Sequence, residues 1–294
     1  MSAMAGEAPF GFVKADFPLG PHTYYHVGGP ARRAFFPETA AEAQAAFEWI
    51  IQQTDPYLVL GAGSNVLIPD DGFSGNVLFT QKLRELRALG DHRYYAGAGI
   101  SLQVLVREVL LPNNYEGVNA LAGIPGSVGG AIFMNAGTVN GSICQWLESV
   151  DLLSGEEFRT VAISSKLYGY RHQDFCAAGE LILGGVFRFC VSDQDQRAIH
   201  AHYLQRRKET QPQGFCCGSV FKNPPGEHAA RLIEACGLKG TRRGGAVISE
   251  KHANFIMNDN HATFNDILQL IELAKASVQA HFGIELEEEV RIIR

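Results

Sequence analysis

With 294 residues the chain is long enough to bury a sizeable core in about two or three domains, and its net charge of -6 gives no field that would gather nucleic acid or an anionic membrane surface. No apolar run reaches membrane-spanning length, and MSAMAGEAPFGFVKADFPLG at the start lacks the basic segment, apolar core and small-residue site of a signal peptide. The six cysteines (Cys144, Cys176, Cys190, Cys216, Cys217, Cys236) form no CxxC pair or zinc spacing, so they read as reduced thiols of a cytoplasmic protein without a metal site.

The chain then gives HTYYHVGGPARRAFFP, in which Gly28-Gly29-Pro30 reads as a turn and Ala34 to Phe36 as a short apolar strand. Thr39 opens a helix: Glu42 completes a capping box, and Phe47, Ile50 and Ile51 fall on one face. Tyr57 to Leu60, YLVL, reads as a buried strand running into GAGSN, and in α/β folds ligands collect at such strand ends. Gly61 and Gly63 are followed by Ser64, Asn65 and Val66, so the dinucleotide fingerprint lacks its third glycine and a Rossmann site is disfavoured. Ser64 and Asn65 fit a capped turn as well as a ligand loop, and Asp70-Asp71-Gly72 is a turn. YYAGAGISLQVLVREVLLP reads as a strand and then a helix capped by Ser101, with Leu102, Leu105, Val106 and Val109 in the core.

Gly117 to Gly141, GVNALAGIPGSVGGAIFMNAGTVNG, packs seven glycines among small and apolar residues. Gly123, Gly126, Gly129 and Gly130 leave the backbone open to close approach, and Pro125 stiffens the turn between the first two. Composition leaves two readings open: a tight crossing inside a packed core, or main-chain N–H groups aimed at phosphates.

Further along, LLSGEEF (Leu152 to Phe158) reads as a hairpin and LILGGVFRF as a strand. A charged helix runs around Ala198 to Arg207, and QRRKETQP reads as a linker into a last domain. PGEHAARLIEACG is a helix with Ala230, Leu232 and Ile233 on its apolar side, ended by Gly237. Thr263 and Asp266 cap a final helix whose Ile267, Leu270, Ile271, Ala274 and Val278 face the core until Gly283 stops it. GIELEEEVRIIR closes the chain as an alternating strand, although its three glutamates alone read as a solvated edge.

HTYYHVGGPA, LGAGSNVLIPDDGFSG, GIPGSVGGAIFMNAG, YGYRHQ, GSVFKNP, GAVISEKHANFIMN and LEEEVRII stand in the order and spacing of the UDP-N-acetylenolpyruvoylglucosamine reductases, the MurB family of peptidoglycan synthesis. The chain resembles that family from about His22 to the C-terminus. The resemblance implies an α+β (α/β) protein: the FAD-binding fold of the vanillyl-alcohol oxidase/MurB type with a C-terminal α/β substrate domain. It divides the chain into an N-terminal FAD-binding subdomain at 1–82, joined by the C-terminal strand 287–294, a second FAD-binding subdomain at 83–193, and a nucleotide-sugar domain at 194–286.

By the same resemblance, non-covalent FAD would rest its pyrophosphate on Gly61, Ala62, Gly63, Ser64 and Asn65 and on Gly123, Ile124, Pro125, Gly126, Ser127, Gly129 and Gly130. Asn135 and Ala136 would lie along the flavin. Arg171, beside the substrate-binding Tyr170, matches the arginine that holds the substrate carboxylate, a task suited to a planar fork of donors. Ser219 matches the acid that protonates C2, Glu289 the catalytic glutamate, Asn223 a substrate-binding asparagine, and Lys239 the lysine that meets the diphosphate. Lys251, His252 and Asn254 are expected to shape the last domain rather than do chemistry.

Four places depart from the family pattern. Asn119 replaces an acidic residue, Gln173 a serine, Glu288 a proline, and Cys216 and Cys217 small residues. The short stretch between Arg171 and Ser219 looks like the branch without an extra substrate-covering loop. The implied activity is that of a UDP-N-acetylmuramate dehydrogenase, a monomer working by ping-pong kinetics with NADPH as co-substrate and an enolpyruvyl nucleotide-sugar as substrate. A flavin oxidase of the same fold, acting on an alcohol or sugar, should lack GSVFKNP and the C-terminal glutamate. A non-catalytic flavin-binding module would need only the glycine loops.

Overall fold

The protein, seen in a computed structural model, is described at residues 8–177 and 179–294. The chain forms two compact units: the first takes residues up to Phe17, Ala31–Ala62 and Ser74–Leu204, the second Pro18–Pro30, Gly63–Phe73 and Gln205–Arg294.

The first unit holds a four-stranded sheet in the order Val13–Pro18, Pro30–Phe35, Phe73–Phe79, Tyr57–Leu60, the last two parallel. The predicted Ala34 to Phe36 strand is thus longer at its N-terminal end. The helix Ala40–Ile51 begins as expected: Thr39 Oγ1 accepts the Glu42 N–H at 3.1 Å and the Glu42 carboxylate accepts the Thr39 N–H at 3.3 Å. It buries Ala43, Ala46, Phe47 and Ile50, with Ile51 at the edge of the same cluster.

The same unit holds a five-stranded antiparallel sheet in the order Glu157–Ala162, Leu147–Ser154, Leu181–Arg188, Arg93–Gly97, Leu86–Gly90. The expected hairpin at LLSGEEF pairs Ser154 with Glu157. Leu102, Leu105, Val106 and Val109 are buried as predicted, in a helix that passes into a π-helical turn at Val106–Leu110. Ser101 stands at its start but makes no capping bond; instead the Leu102 N–H donates to the Gly126 carbonyl at 3.0 Å, so the glycine-rich stretch does the work expected of a side chain.

The second unit packs Phe264–Phe282 and Ala229–Ala235 with a three-stranded antiparallel sheet, Arg242–Arg243, Ala246–Ile248, Ile256–Asn258. Thr263 and Asp266 form the expected capping box; Ile267, Leu270, Ile271, Ala274 and Val278 are buried, and Gly283 closes the helix at φ 67. The shorter helix buries Ala229, Leu232 and Ile233; Ala230, expected on that face, is only half-buried because the helix starts at Ala229 and turns that residue inward.

Two further expectations need correction. The helix Gln196–Thr210 continues through most of the segment read as a linker, since a charged helix face and a solvated linker have the same composition. Of the alternating C-terminal pattern only Arg291–Ile292 forms a strand, parallel to Val66–Leu67, because the preceding residues bond singly to the segment from Val220: Lys222 N–H to Glu287 O at 2.9 Å and Glu289 N–H to Val220 O at 2.7 Å. All six cysteines are free thiols, and among the described residues no helix is long and apolar enough to cross a membrane.

Candidate functional site

The residues singled out by sequence fall on both units. Gly61, Ala62, Gly123 to Gly130, Asn135, Ala136, Tyr170 and Arg171 belong to the first, and Gly63, Ser64, Asn65, Ser219, Asn223, Lys239 and Glu289 to the second.

In the first unit the strand Tyr57–Leu60 delivers Gly61 against the glycine-rich stretch: a Cβ on Gly61 would come within 2.5 Å of Ser127 Oγ. Ser127 caps the short helix Val128–Phe133, accepting the Gly130 N–H at 3.4 Å. Gln103 fastens the loop before it, accepting the Gly123 N–H at 3.0 Å and donating to the carbonyls of Leu121 and Ile124 at 3.2 and 2.8 Å. The Gly129 N–H donates to Ala98 O at 2.9 Å, and a Cβ there would lie 2.7 Å from the Ala98 Cβ. The N–H groups of Gly123, Gly129 and Gly130 thus have protein partners, as a crossing this tight must satisfy its own backbone.

What distinguishes Gly130 is that the fold does not demand it. It is exposed, and a Cβ there would meet only Ser127 Oγ, at an ordinary 3.5 Å. Glycine inside a helix costs roughly 0.5–1 kcal/mol relative to alanine. Neither packing nor a left-handed backbone therefore accounts for glycine at this position. Pro125 is exposed and Ile124 half-buried on the same loop.

Past that helix, Asn135 is 2% exposed at φ 42; its Oδ1 accepts the Cys144 N–H at 3.2 Å and its Nδ2 donates to Gly169 O at 2.6 Å. Ala136 N–H donates to Ala131 O. Gly169 lies in the small hairpin Tyr168–Gly169/His172–Gln173, whose tip is Tyr170-Arg171. Arg171 has φ 53, sends Nη2 to Gly137 O at 2.9 Å, and stands 5.1 Å from the centre of the Tyr170 ring, a cation–π distance. Tyr170 is 55% exposed. Asn135, Asn140, Gln145, Tyr170 and Arg171 are among the residues around a cavity of about 420 Å³. Gln173, the departure from serine, accepts the N–H groups of Phe175 and Cys176 and donates to Cys176 O, which secures the chain behind the hairpin.

In the second unit Ser219 is half-buried between Gly218, at φ 78, and the buried Val220. Asn254 clasps the next residue: its Oδ1 accepts the Phe221 N–H at 2.9 Å, its Nδ2 donates to Phe221 O at 2.8 Å, and its own carbonyl accepts the Val220 N–H. The shaping role expected of Asn254 is thus visible as a clamp on the serine-bearing segment. Glu289 lies alongside through its N–H to Val220 O, and Asn65 Nδ2 donates to the Glu289 carbonyl at 2.9 Å. Gly63, at φ 67, packs so closely that a Cβ would sit 2.1 Å from His22 O. Ser64 is half-buried beside it.

Glu288 points its carboxylate to Lys275, 2.8 Å away; burial works against the charge, but the lysine more than offsets it and the pKa is lowered. Lys222 pairs with Glu287. Asn223 Oδ1 accepts the Ala229 N–H at 3.1 Å and so caps the helix that follows. Lys239 pairs with Glu234 at 2.8 Å. His252 is held below its usual value by burial and then by the charge of Lys239. Burial also pushes the Cys217 thiol up; its Sγ lies 3.4 Å from Val66 O, which marks it as packing. Cys216 is likewise raised by burial. Sequence reading missed Gln103, whose only signal is a polar residue among the apolar ones of its helix, and the extent of Asn254's role.

Residues 211–293 match the family model for the C-terminal domain of UDP-N-acetylenolpyruvoylglucosamine reductase, and residues 31–157 match that of an FAD binding domain. The chain is 39% identical to the UDP-N-acetylenolpyruvoylglucosamine reductase of Pelobacter propionicus over 285 residues, covering 96% of both chains. It is 38% identical to that of Geotalea uraniireducens over 295 residues, covering 100% of this chain and 96% of the relative. Among solved structures it resembles the UDP-N-acetylenolpyruvylglucosamine reductase (MurB) of Thermus caldophilus, with a TM-score of 0.79 at 33% identity over 96% of this chain and 98% of that one. The α+β FAD-binding architecture expected from the motifs is thereby borne out.

Proposed function

The chain belongs to the UDP-N-acetylenolpyruvoylglucosamine reductase family, and from that premise we propose which of its residues carry the reaction. It is an FAD-dependent oxidoreductase of peptidoglycan synthesis that uses NADPH to reduce the enolpyruvyl group of UDP-N-acetylglucosamine enolpyruvate, giving UDP-N-acetylmuramate. The flavin oxidase reading has less in its favour, since the relatives that span the whole chain are reductases.

The residues present fit FAD. The contact of Gly61 with Ser127 joins the two small-residue loops of the first unit, and the bare, exposed Gly130 leaves room where a bulky dianionic group needs main chain close by. We assign Gly61 to Asn65 and Gly123 to Gly130 to its pyrophosphate, and Asn135 and Ala136 to the flavin side. The subdomains at 1–82 and 83–193 would clasp it, and 194–286 would bring the nucleotide-sugar.

Bound FAD supplies a hydride, taken from NADPH, to C3 of the enolpyruvyl group. Arg171 holds the substrate carboxylate, where negative charge gathers as C3 is reduced, with two parallel charge-assisted hydrogen bonds. Glu289 is assigned, by its match to the family's catalytic glutamate, to stabilising the charge that develops on the enolpyruvyl group. Ser219 gives its hydroxyl proton to C2 and is reprotonated from solvent before the next turnover. Tyr170, Asn223 and Lys239 bind the nucleotide-sugar, Lys239 as a point charge on the diphosphate. Six free thiols suit a reducing compartment, so we read the enzyme as cytoplasmic, and we take a monomer as the default.

The observation that carries the acid assignment is the bond between Glu289 N–H and Val220 O, which keeps serine and glutamate on adjacent segments. The test is anaerobic mixing with NADPH and then with UDP-N-acetylglucosamine enolpyruvate, followed at the flavin band. Bleaching by the first and recolouring by the second is expected. Recolouring only by oxygen would select the oxidase, and a protein that takes up no FAD would end the cofactor argument.

A further inference from the structure

We infer that Asn135 is a positioning residue for Arg171, orienting the guanidinium through the hairpin that carries it; this rests on the assignment of Arg171 to the substrate carboxylate. Arg171 occupies a left-handed conformation, φ 53, at the tip of a hairpin only two residue pairs long. Such a backbone is unfavourable for a residue with a Cβ and persists only where its surroundings fix it. Two contacts from one short segment do so. Asn135 Nδ2 donates to Gly169 O at 2.6 Å, gripping the main chain two residues before Arg171. Gly137 O accepts from Arg171 Nη2 at 2.9 Å, gripping the guanidinium itself.

The gripping segment is itself immobilised. Asn135 is 2% exposed, and its Oδ1 is taken by the Cys144 N–H at 3.2 Å. Gly137 pairs with Ser142 and has no room for a side chain, since a Cβ would fall 2.1 Å from Gly141 O. A continuous set of bonds therefore runs from Cys144 through Asn135 and Gly169 to Arg171. A guanidinium has five donors in a fixed fork, so a bond to Gly137 orients the fork without exhausting it. Bidentate binding depends on that orientation, and a misplacement of about 1 Å can cost roughly a hundredfold in rate. Asn135, fully buried and bonded on both sides of its amide, thereby gains a role distinct from lining the cofactor.

The test uses Asn135→Asp in the FAD-loaded protein. Aspartate keeps the shape, tolerates the left-handed backbone and can still accept from Cys144, but it turns an acceptor toward the Gly169 carbonyl. Expected is a fall of about tenfold to a hundredfold in kcat/KM for the enolpyruvyl nucleotide-sugar, larger than any change in bleaching by NADPH. In an Arg171→Ala background the same substitution should add almost nothing, because residues acting as one unit are not additive. Asn135→Ser, too short to reach Gly169, is the second variant should the first not fold. Wild-type recolouring rates in a folded variant would overturn the inference. So would a loss that adds in full to Arg171→Ala, or one accounted for wholly by lost FAD. Failure of the functional reading looks different: the wild-type protein itself would bleach with NADPH and stay bleached when the enolpyruvyl sugar is added.

Discussion

The main-chain N–H of Glu289 donates to the carbonyl of Val220 at 2.7 Å, and the residue before Val220 is Ser219. The assigned acid is thus placed by backbone bonds and by Asn254 behind it, none of which uses the serine hydroxyl. Ser219→Ala should therefore fold normally. It should slow recolouring by the enolpyruvyl sugar by about 10²–10⁴, the usual worth of a general acid, with the loss concentrated in that half-reaction. Rapid-mixing rates measure it directly, and an alanine variant that recolours at the wild-type rate would remove Ser219 from the chemistry.

Gly129 and Gly130 are neighbours with opposite reasons to be glycine. A Cβ at 129 would lie 2.7 Å from the Ala98 Cβ, so Gly129→Ala should destabilise the protein with or without cofactor. At 130 the same Cβ finds open space apart from Ser127 Oγ, so Gly130→Ala should stabilise the FAD-free protein by about 0.5–1 kcal/mol while weakening FAD retention. Thermal melts with and without FAD separate the two. Equal FAD affinity in Gly130→Ala and wild type would show that nothing approaches there.

Much of this was legible in sequence wherever the cause is local. Thr39 with Glu42 and Thr263 with Asp266 announce their helices because the bonds they make lie within one turn. The glycine stretch announced close approach but not what approaches: Gly129 meets Ala98, whereas Gly130 faces outward. Gln103 grips Gly123 from twenty residues away and Asn254 grips Phe221 from 33 residues away, and no spacing rule reports such pairs. The helix through Gln205–Thr210 was hidden because its charged residues suit a linker equally well. The order of the five-stranded sheet, which brings Leu181–Arg188 between Leu147–Ser154 and Arg93–Gly97, depends on pairings remote in the chain.

Glu288 gives the second unit a pH-dependent brace. Burial raises the cost of its charge, yet the Lys275 ammonium at 2.8 Å lowers its pKa from 4.5 overall. A carboxyl whose folded pKa is depressed adds stability that is fully present above its unfolded value. That contribution disappears as pH falls through the lowered one. Glu288→Gln should therefore be less stable than wild type at neutral pH, and the difference should shrink as the pH is taken below 4.5. Urea midpoints across that range measure it; a difference independent of pH would mean that the pair contributes through packing alone.

Lys239 is held by Glu234 at 2.8 Å, with the two side chains 30% and 57% exposed. An ion pair this open is worth only about 0–1 kcal/mol, so an incoming diphosphate can take the lysine from it. Lys239→Ala should raise KM for the nucleotide-sugar by roughly tenfold to a hundredfold, the loss of one charge-assisted bond, with a smaller change in kcat. Glu234→Gln, which frees the lysine, should leave that KM equal or lower. The same lysine is the second cause, after burial, of the lowered pKa of His252, so an NMR titration should find that pKa higher in Lys239→Ala. A raised His252 pKa with an unchanged KM would keep the electrostatics and remove Lys239 from substrate binding.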